Sequence, residues 1–306
     1  MRVVVVGAGG VGGYFGTRLA AAGHEVTFVA RGRHLAAIQE HGLVVRSPLG
    51  EFRSAATAVP AVADAGPADL VLVAVKLWDT EDVAAQLKPA VADGARVMSL
   101  QNGVQKDDVL RAHLPAEAVL GGVCYISSVI AEPGVIAHSG AMQKLVFGEF
   151  DGQPSGLTAE FLAACVEAGI DAAVSADISR VIWEKFVFLV GLSATTAAVR
   201  APIGVVRSTS RTRVLLRDVM AEVVAVGRAS GVDLADDFVE ERLAFIDTLP
   251  ADTAASMYHD LTRGNRLELP WLSGGVVALG ERLGVPTPRN RTVADVLAPY
   301  EGGAVS

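Results

Sequence analysis

At 306 residues the chain is long enough for one large or two ordinary domains, and 51% hydrophobic against 20% charged residues supplies material for real cores. A formal net charge of −8 argues against a general nucleic-acid binder and suits a soluble cytosolic enzyme. The cysteines, Cys124 and Cys165, lie in no Cys-x-x-Cys or metal-ligand spacing and the histidines are scattered, so neither a disulfide framework nor a metal site is expected.

The first predicted element is a strand. Arg2 is followed by the unbroken valine run Val3 to Val6, which reads as a strand buried on both faces in a parallel sheet. The run stops at Gly7-Ala8-Gly9-Gly10-Val11-Gly12, a match to G-x-G-x-x-G. Gly7 permits the tight turn, Gly9 lets a pyrophosphate approach the backbone, and Gly12 lets the next helix lie close to the sheet. From Val11 the pattern is helical, with Tyr14, Phe15, Leu19 and Ala22 on or near one face, and Gly23 ends it. The N-terminus of that helix would point unpaired N–H groups at phosphates.

Glu25 to Ala30 reads as the second strand and runs out at Arg31-Gly32-Arg33. NAD enzymes carry an acid here for the ribose 2′-hydroxyl, but no acid stands between Val26 and Gln39. Arg31 and Arg33 suit a 2′-phosphate instead, so NADP(H) is expected over NAD(H). Leu43–Arg46 and Phe52–Ala58 look like short strands about a turn at Pro48–Gly50. Asp69 to Val75 is another buried strand, with Lys76 just past it, where ligands sit in open α/β sheets; position alone suits a ligand-contacting lysine and an ordinary solvated strand-end lysine equally. Ala95 to Leu100 is the next, running into Gln101-Asn102-Gly103; Asn102 marks either a plain turn or a ligand-binding amide. Val119–Val129 is a further apolar segment, Gly134–Phe147 suggests an antiparallel pair covering the sheet edge, Leu157–Glu167 a helix and Ile170–Val174 a last strand.

The rhythm then changes. Asp177 can cap a helix running to about Ala198, and further helices fit Thr212–Ser230, Ala235–Thr248, Thr253–Arg263, Leu269–Leu283 and Val293–Tyr300. The uncharged stretch between Lys185 and Arg200 is short for a membrane span and suits a buried core helix. The expectation is a Rossmann-type α/β N-terminal domain, residues 1–176, followed by an all-α C-terminal domain, residues 177–306, with the active site in the cleft between them.

Hydride transfer is the cofactor's own reaction; the protein must position the carbonyl and supply a proton to the developing alkoxide. A cationic acid on an apolar helical face suits that role, and Lys185 in Val181-Ile182-Trp183-Glu184-Lys185-Phe186 is such a residue. Val181, Ile182, Leu189 and Ser193 share its side of the helix, and partial burial among them would lower its pKa. A lysine merely snorkelling from a core helix has the same spacing.

Taken together and in order, GAGGVGGYFGTRLAAAGHEV, the arginine after the second strand, VKLWD at Lys76, QNG at Asn102, WEKF at Lys185 and SMYHD at Ser256 resemble the ketopantoate reductase (2-dehydropantoate 2-reductase) family over nearly the full length. The resemblance implies NADPH-dependent reduction of 2-dehydropantoate to (R)-pantoate in pantothenate biosynthesis. It implies Lys185 as the catalytic proton donor and Glu268 as the acid assisting lysine and substrate hydroxyl. It further implies that Asn102 and Lys76 help hold substrate and cofactor, that Ser256 binds the substrate carboxylate and that Arg31 meets the 2′-phosphate. The chain departs from the family pattern where asparagines are usual four and eight residues after the lysine and five after the glutamate: Leu189, Ser193 and Ser273 stand there. One wall of the substrate pocket is therefore expected to be more apolar, which weakens recognition of a hydroxylated substrate.

The resulting expectation is a cytoplasmic oxidoreductase for a small oxo acid, acting on ketopantoate or on a more apolar oxo acid or ketone. A non-turnover NADP(H) sensor is the alternative from another class. No nucleic-acid or membrane partner is expected, and a homodimer is left open.

Overall fold

The structure, a computed structural model, describes residues 1–55 and 57–304. The chain forms two compact units, Met1–Val181 and Ile182–Ser306.

The first unit is built on strands β1 (Arg2–Val6), β2 (Glu25–Val29), β3 (Leu43–Ser47), β4 (Gly50–Ser54), β5 (Thr57–Val59), β6 (Leu70–Val73), β7 (Arg96–Ser99), β8 (Val119–Glu132), β9 (Val135–Gly148) and β10 (Asp171–Val174). They form a sheet in the order β4-β3-β9-β8-β7-β6-β1-β2-β5, with β10 also on β9. Its helices are α1 (Gly10–Ala21), α2 (Gly32–His41), α3 (Thr80–Gln86), α4 (Lys88–Ala92), α5 (Gln105–His113) and α6 (Gly156–Glu167).

The run β5-β2-β1-β6-β7 is parallel throughout, and β8 joins β7 in parallel. The valines of β1 explain why it lies in the middle. Val3 and Val5 pack with Tyr14, Phe15 and Leu19 of α1, while Val4 and Val6 pack in a second core with Val83 of α3, Leu87 just after it and Leu110 of α5. Alternate side chains thus enter two apolar layers, as parallel strands with helices on both faces require. Chain order reverses between β1 and β6, and in such sheets the crevice beyond the strand ends at that reversal is the ligand site.

Several boundaries differ from those read along the chain. Phe52–Ala58 is not one strand: β4 returns antiparallel along β3, while β5 adds in parallel to β2. Ala56, between them, lies outside the described residues. The segment after Arg31 is helical, which polar Gly32-Arg33-His34 had concealed. The pair expected to cover the sheet edge is the hairpin β8–β9, and it extends the sheet: β9 goes on to pair in parallel with β3 and β10.

Helix α7 (Ile178–Val199) begins in the first unit and runs into the second. The Arg180 backbone N–H donates to Asp177 Oδ1 at 3.0 Å, the expected cap. By length and composition alone α7 could cross a membrane, but 67% of its most apolar stretch is buried within the fold. The second unit continues with α8 (Ile203–Ser208), α9 (Ser210–Ala229), α10 (Phe238–Thr248), α11 (Ser256–Arg263), α12 (Ser273–Leu283) and α13 (Pro288–Leu297), and no strand occurs there among the described residues. The helix expected over Leu269–Leu283 is broken: Leu269–Trp271 is a 3-10 turn around Pro270, and Leu272 at φ −95°, ψ −108° separates it from α12. Proline removes a backbone donor and so favours such a restart.

Candidate functional site

The glycines of the first turn do different work. Gly7 has φ +101°, and a Cβ there would stand 2.8 Å from the Ala74 carbonyl carbon and the Val75 nitrogen. At Gly12 a Cβ would lie 2.2 Å from the Gly7 carbonyl oxygen, and at Gly10 2.2 Å from the Ser128 carbonyl oxygen. These three are required by the fold itself. Gly9 is not: nothing lies within 4 Å of a Cβ built on it, and its φ −71°, ψ −167° is open to other residues.

That open space lies at the start of α1, where Gly9 is the N-cap, no side chain caps the helix and no acid occupies its first turn. Backbone N–H groups and the helix dipole there favour an anion. Ala8 is buried and Val11 half-buried, so the turn is anchored on either side of Gly9. The residues present fit the diphosphate of a dinucleotide.

Past the end of β2, Arg31 is the extended N-cap of α2, exposed like Arg33, and no acid stands in that helix's first turn. Three residues on, His34 contacts the Ala8 carbonyl oxygen through Nε2 at 2.7 Å. The expectation for Arg31 did not foresee this link, because it joins segments by tertiary contact.

Lys76 follows β6 as the exposed N-cap of a 3-10 turn, Leu77–Asp79, with its ammonium 5.7 Å from the Trp78 ring centre. Asn102, half-buried, follows β7. A buried polar network connects these two segments. The Gln101 amide donates to the Val75 carbonyl at 3.0 Å and to Thr80 Oγ1 at 2.8 Å, and accepts from Ser99 Oγ at 2.9 Å. Thr80 Oγ1 in turn donates to the Leu77 carbonyl at 2.7 Å. The backbone on both sides of Lys76 is thereby tied to the strand end that carries Asn102. A fully satisfied network of this kind rigidifies what it holds. Gln101 and Thr80 carry no motif of their own; the only local sign of this network is the amide directly before Asn102.

A second missed feature lies just beyond. Lys106 and Asp107, 2% and 4% exposed, pair at 2.7 Å in the first turn of α5. Burial pushes the Asp107 carboxyl above its ordinary range, and the Lys106 ammonium pulls it the other way.

In the second unit, Lys185 is half-buried on α7 among buried Ile182, Phe186 and Val187. Leu189, a turn further, is also half-buried, while Ser193 is fully buried and its hydroxyl has no hydrogen-bond partner. Thr195 and Thr196 on the same helix instead bond back to the carbonyls of Gly191 and Leu192. Ser256 is the exposed first residue of α11. Glu268 is buried at the mouth of the 3-10 turn, where its carbonyl accepts from the Trp271 and Leu272 N–H groups at 3.1 and 3.2 Å. Ser273, at the start of α12, is fully buried with an unpartnered hydroxyl.

Comparison with known proteins accounts for both units. The sequence model of ketopantoate reductase PanE/ApbA matches residues 3–152, and that of its C-terminal part matches residues 177–301. The chain belongs to the ketopantoate reductase family. It is therefore an oxidoreductase, and the first matched segment contains the glycine turn, Arg31, Lys76 and Asn102, the second Lys185, Leu189, Ser193, Ser256 and Glu268. A 2-dehydropantoate 2-reductase of Halobacterium salinarum is 35% identical, with 97% of this chain and 98% of that protein covered. An uncharacterized oxidoreductase of Bacillus subtilis, YkpB, is 31% identical over 98% of this chain and 99% of its own length. The crystal structure of a PanE/ApbA family ketopantoate reductase from Ralstonia eutropha superposes with a TM-score of 0.90 at 35% identity, covering 98% of each chain.

Proposed function

We propose that this protein reduces a 2-oxo acid to the corresponding 2-hydroxy acid with NADPH, the default substrate being 2-dehydropantoate and the product (R)-pantoate, a step of pantothenate biosynthesis in the cytoplasm. The observation that carries the cofactor part is the open space at Gly9 above the uncapped start of α1, at the reversal of strand order. Arg31, with no acid nearby in α2, supports the 2′-phosphate form.

When bound, the nicotinamide supplies the hydride that goes to the carbonyl carbon. The side chains do the rest. Lys185 gives a proton to the carbonyl oxygen as the alkoxide develops, and its charge stabilises that oxygen beforehand. Glu268 assists the lysine and meets the substrate hydroxyl, Ser256 takes the carboxylate, and Asn102 and Lys76 orient substrate and cofactor. Gln101 holds the Lys76 segment in register with Asn102 through the buried network.

A second reading is favoured by one feature of α7. Leu189, in the place of a family asparagine, offers a methyl-bearing wall beside Lys185. The same chemistry on a more apolar oxo acid follows if that wall faces the substrate. NADPH oxidation across a panel of oxo acids, from ketopantoate to unhydroxylated analogues, tests both. Absence of turnover with every member, despite NADPH binding, would favour a sensor and refute the enzyme reading.

A further inference from the structure

We infer that His34 is a positioning residue for the dinucleotide, setting the spacing between the glycine turn and the arginine-bearing start of α2. This rests on the dinucleotide reading above, and it adds a residue whose two hydrogen-bond partners are both backbone groups of the protein.

The imidazole sits between two fixed partners. The Gly134 backbone N–H donates to Nδ1 at 3.0 Å, and Nε2 lies 2.7 Å from the Ala8 carbonyl oxygen. A backbone N–H can only donate, so Nδ1 is the acceptor and the ring proton is on Nε2, donating to Ala8. Ala8 immediately precedes Gly9, beside which the open space lies. Arg31 is the N-cap of the helix that carries His34. One side chain thus sets the distance between the place offered to the diphosphate and the place offered to the 2′-phosphate.

Gly134 belongs to the tip of the hairpin β8–β9, and that hairpin backs the same elements elsewhere. A Cβ at Gly134 would stand 3.1 Å from the Ala37 Cβ of α2. The Ser128 carbonyl lies against Gly10, and Ile136 lies against Gly13 of α1. The hairpin therefore packs against α1 and α2, and His34 of α2 is hydrogen-bonded both to the hairpin tip and to the glycine turn just before α1. An error of about an ångström in the separation of two anchor points is enough to weaken a ligand held at both.

The test compares His34→Ala, His34→Phe and His34→Gln with the unmutated full-length protein. NADPH and NADH dissociation constants are measured by fluorescence titration, alongside the melting temperature. Glutamine places an N–H donor and a carbonyl acceptor about as far apart as the two ring nitrogens, so it can serve both Ala8 and Gly134. Phenylalanine keeps the ring's bulk and removes both bonds. The expected result is roughly a tenfold weaker NADPH affinity for His34→Phe and His34→Ala, the scale of a lost hydrogen bond. NADH, which lacks the 2′-phosphate, should be affected less, and His34→Gln should stay within about threefold of the unmutated protein. Unchanged NADPH affinity in a folded His34→Phe protein would overturn the inference while leaving the dinucleotide reading intact. So would a glutamine variant as weak as the phenylalanine one. Failure of the unmutated protein to bind either cofactor would overturn both.

Discussion

Replacing Gly9 and Gly12 separately by alanine divides the glycine turn into a part made for a ligand and a part made for the fold. At Gly9 the added methyl meets nothing within 4 Å, and φ −71°, ψ −167° accommodates alanine. Two small effects oppose one another. Loss of unfolded-state freedom stabilises by about 0.4–1 kcal/mol, and alanine is a poorer N-cap than glycine by a comparable amount. Net stability should therefore change little. The methyl would, however, project into the space offered to the diphosphate and displace it from the N–H groups of α1. Hydrogen bonds to a charged group are worth about 1.5–3 kcal/mol, so losing one weakens NADPH binding roughly ten- to a hundredfold. At Gly12 the outcome reverses. The methyl would lie 2.2 Å from the Gly7 carbonyl oxygen and 2.9 Å from Ala74 Cβ, both in the packed turn. Overpacking of that kind costs about 1–3 kcal/mol, or roughly 2–12 °C of melting temperature for a unit of this size. Thermal melts and NADPH fluorescence titrations of the two variants are the assay. A Gly9→Ala protein that melts like the unmutated one and binds NADPH equally well would refute the assignment of the open space to the diphosphate.

The remaining predictions concern single side chains. Lys185→Ala should cut turnover by roughly a hundredfold or more, the usual worth of a positioned general acid, with cofactor affinity nearly unchanged; turnover within a few-fold would reduce Lys185 to a core-helix lysine. Arg31→Ala should raise the NADPH Michaelis constant and leave that for NADH almost unaltered, and equal use of both cofactors by the unmutated protein would exclude the 2′-phosphate role. On ketopantoate, Leu189→Asn should improve kcat/KM by about ten- to a hundredfold by giving a buried substrate hydroxyl its partner. A kcat/KM for the unmutated protein above about 10⁴ M⁻¹s⁻¹ on ketopantoate would show that another residue already makes that contact.

Much of this was readable along the chain because the physics is local. Four valines followed by Gly7 allow little but a doubly buried strand and a sharp turn, and Val3 to Val6 enter two separate cores accordingly. The cap at Asp177 and the change to helical periodicity after it are likewise short-range signals, and both elements formed where they were expected. The family could be recognised from spaced motifs alone, and both of its sequence models match.

What the tertiary structure decided depends on contacts between residues far apart in sequence. A G-x-G-x-x-G pattern cannot tell that Gly10 is held by Ser128 while Gly9 faces open space, since that distinction is made by a strand more than a hundred positions away. Nor does anything near Gln101 or His34 announce that one braces the Lys76 segment and the other links Ala8 to Gly134. Polar side chains in loops and first turns carry no periodicity. Their roles follow from which backbone groups the fold brings within hydrogen-bonding reach, and buried donors and acceptors must then find one another. Local residue patterns set most of the strands and helices, the dinucleotide-type turn and the family; the splitting of Phe52–Ala58 between β3 and β2 and the packing of the β8–β9 hairpin against α1 and α2 were set by contacts between residues far apart in sequence, which no local pattern encodes.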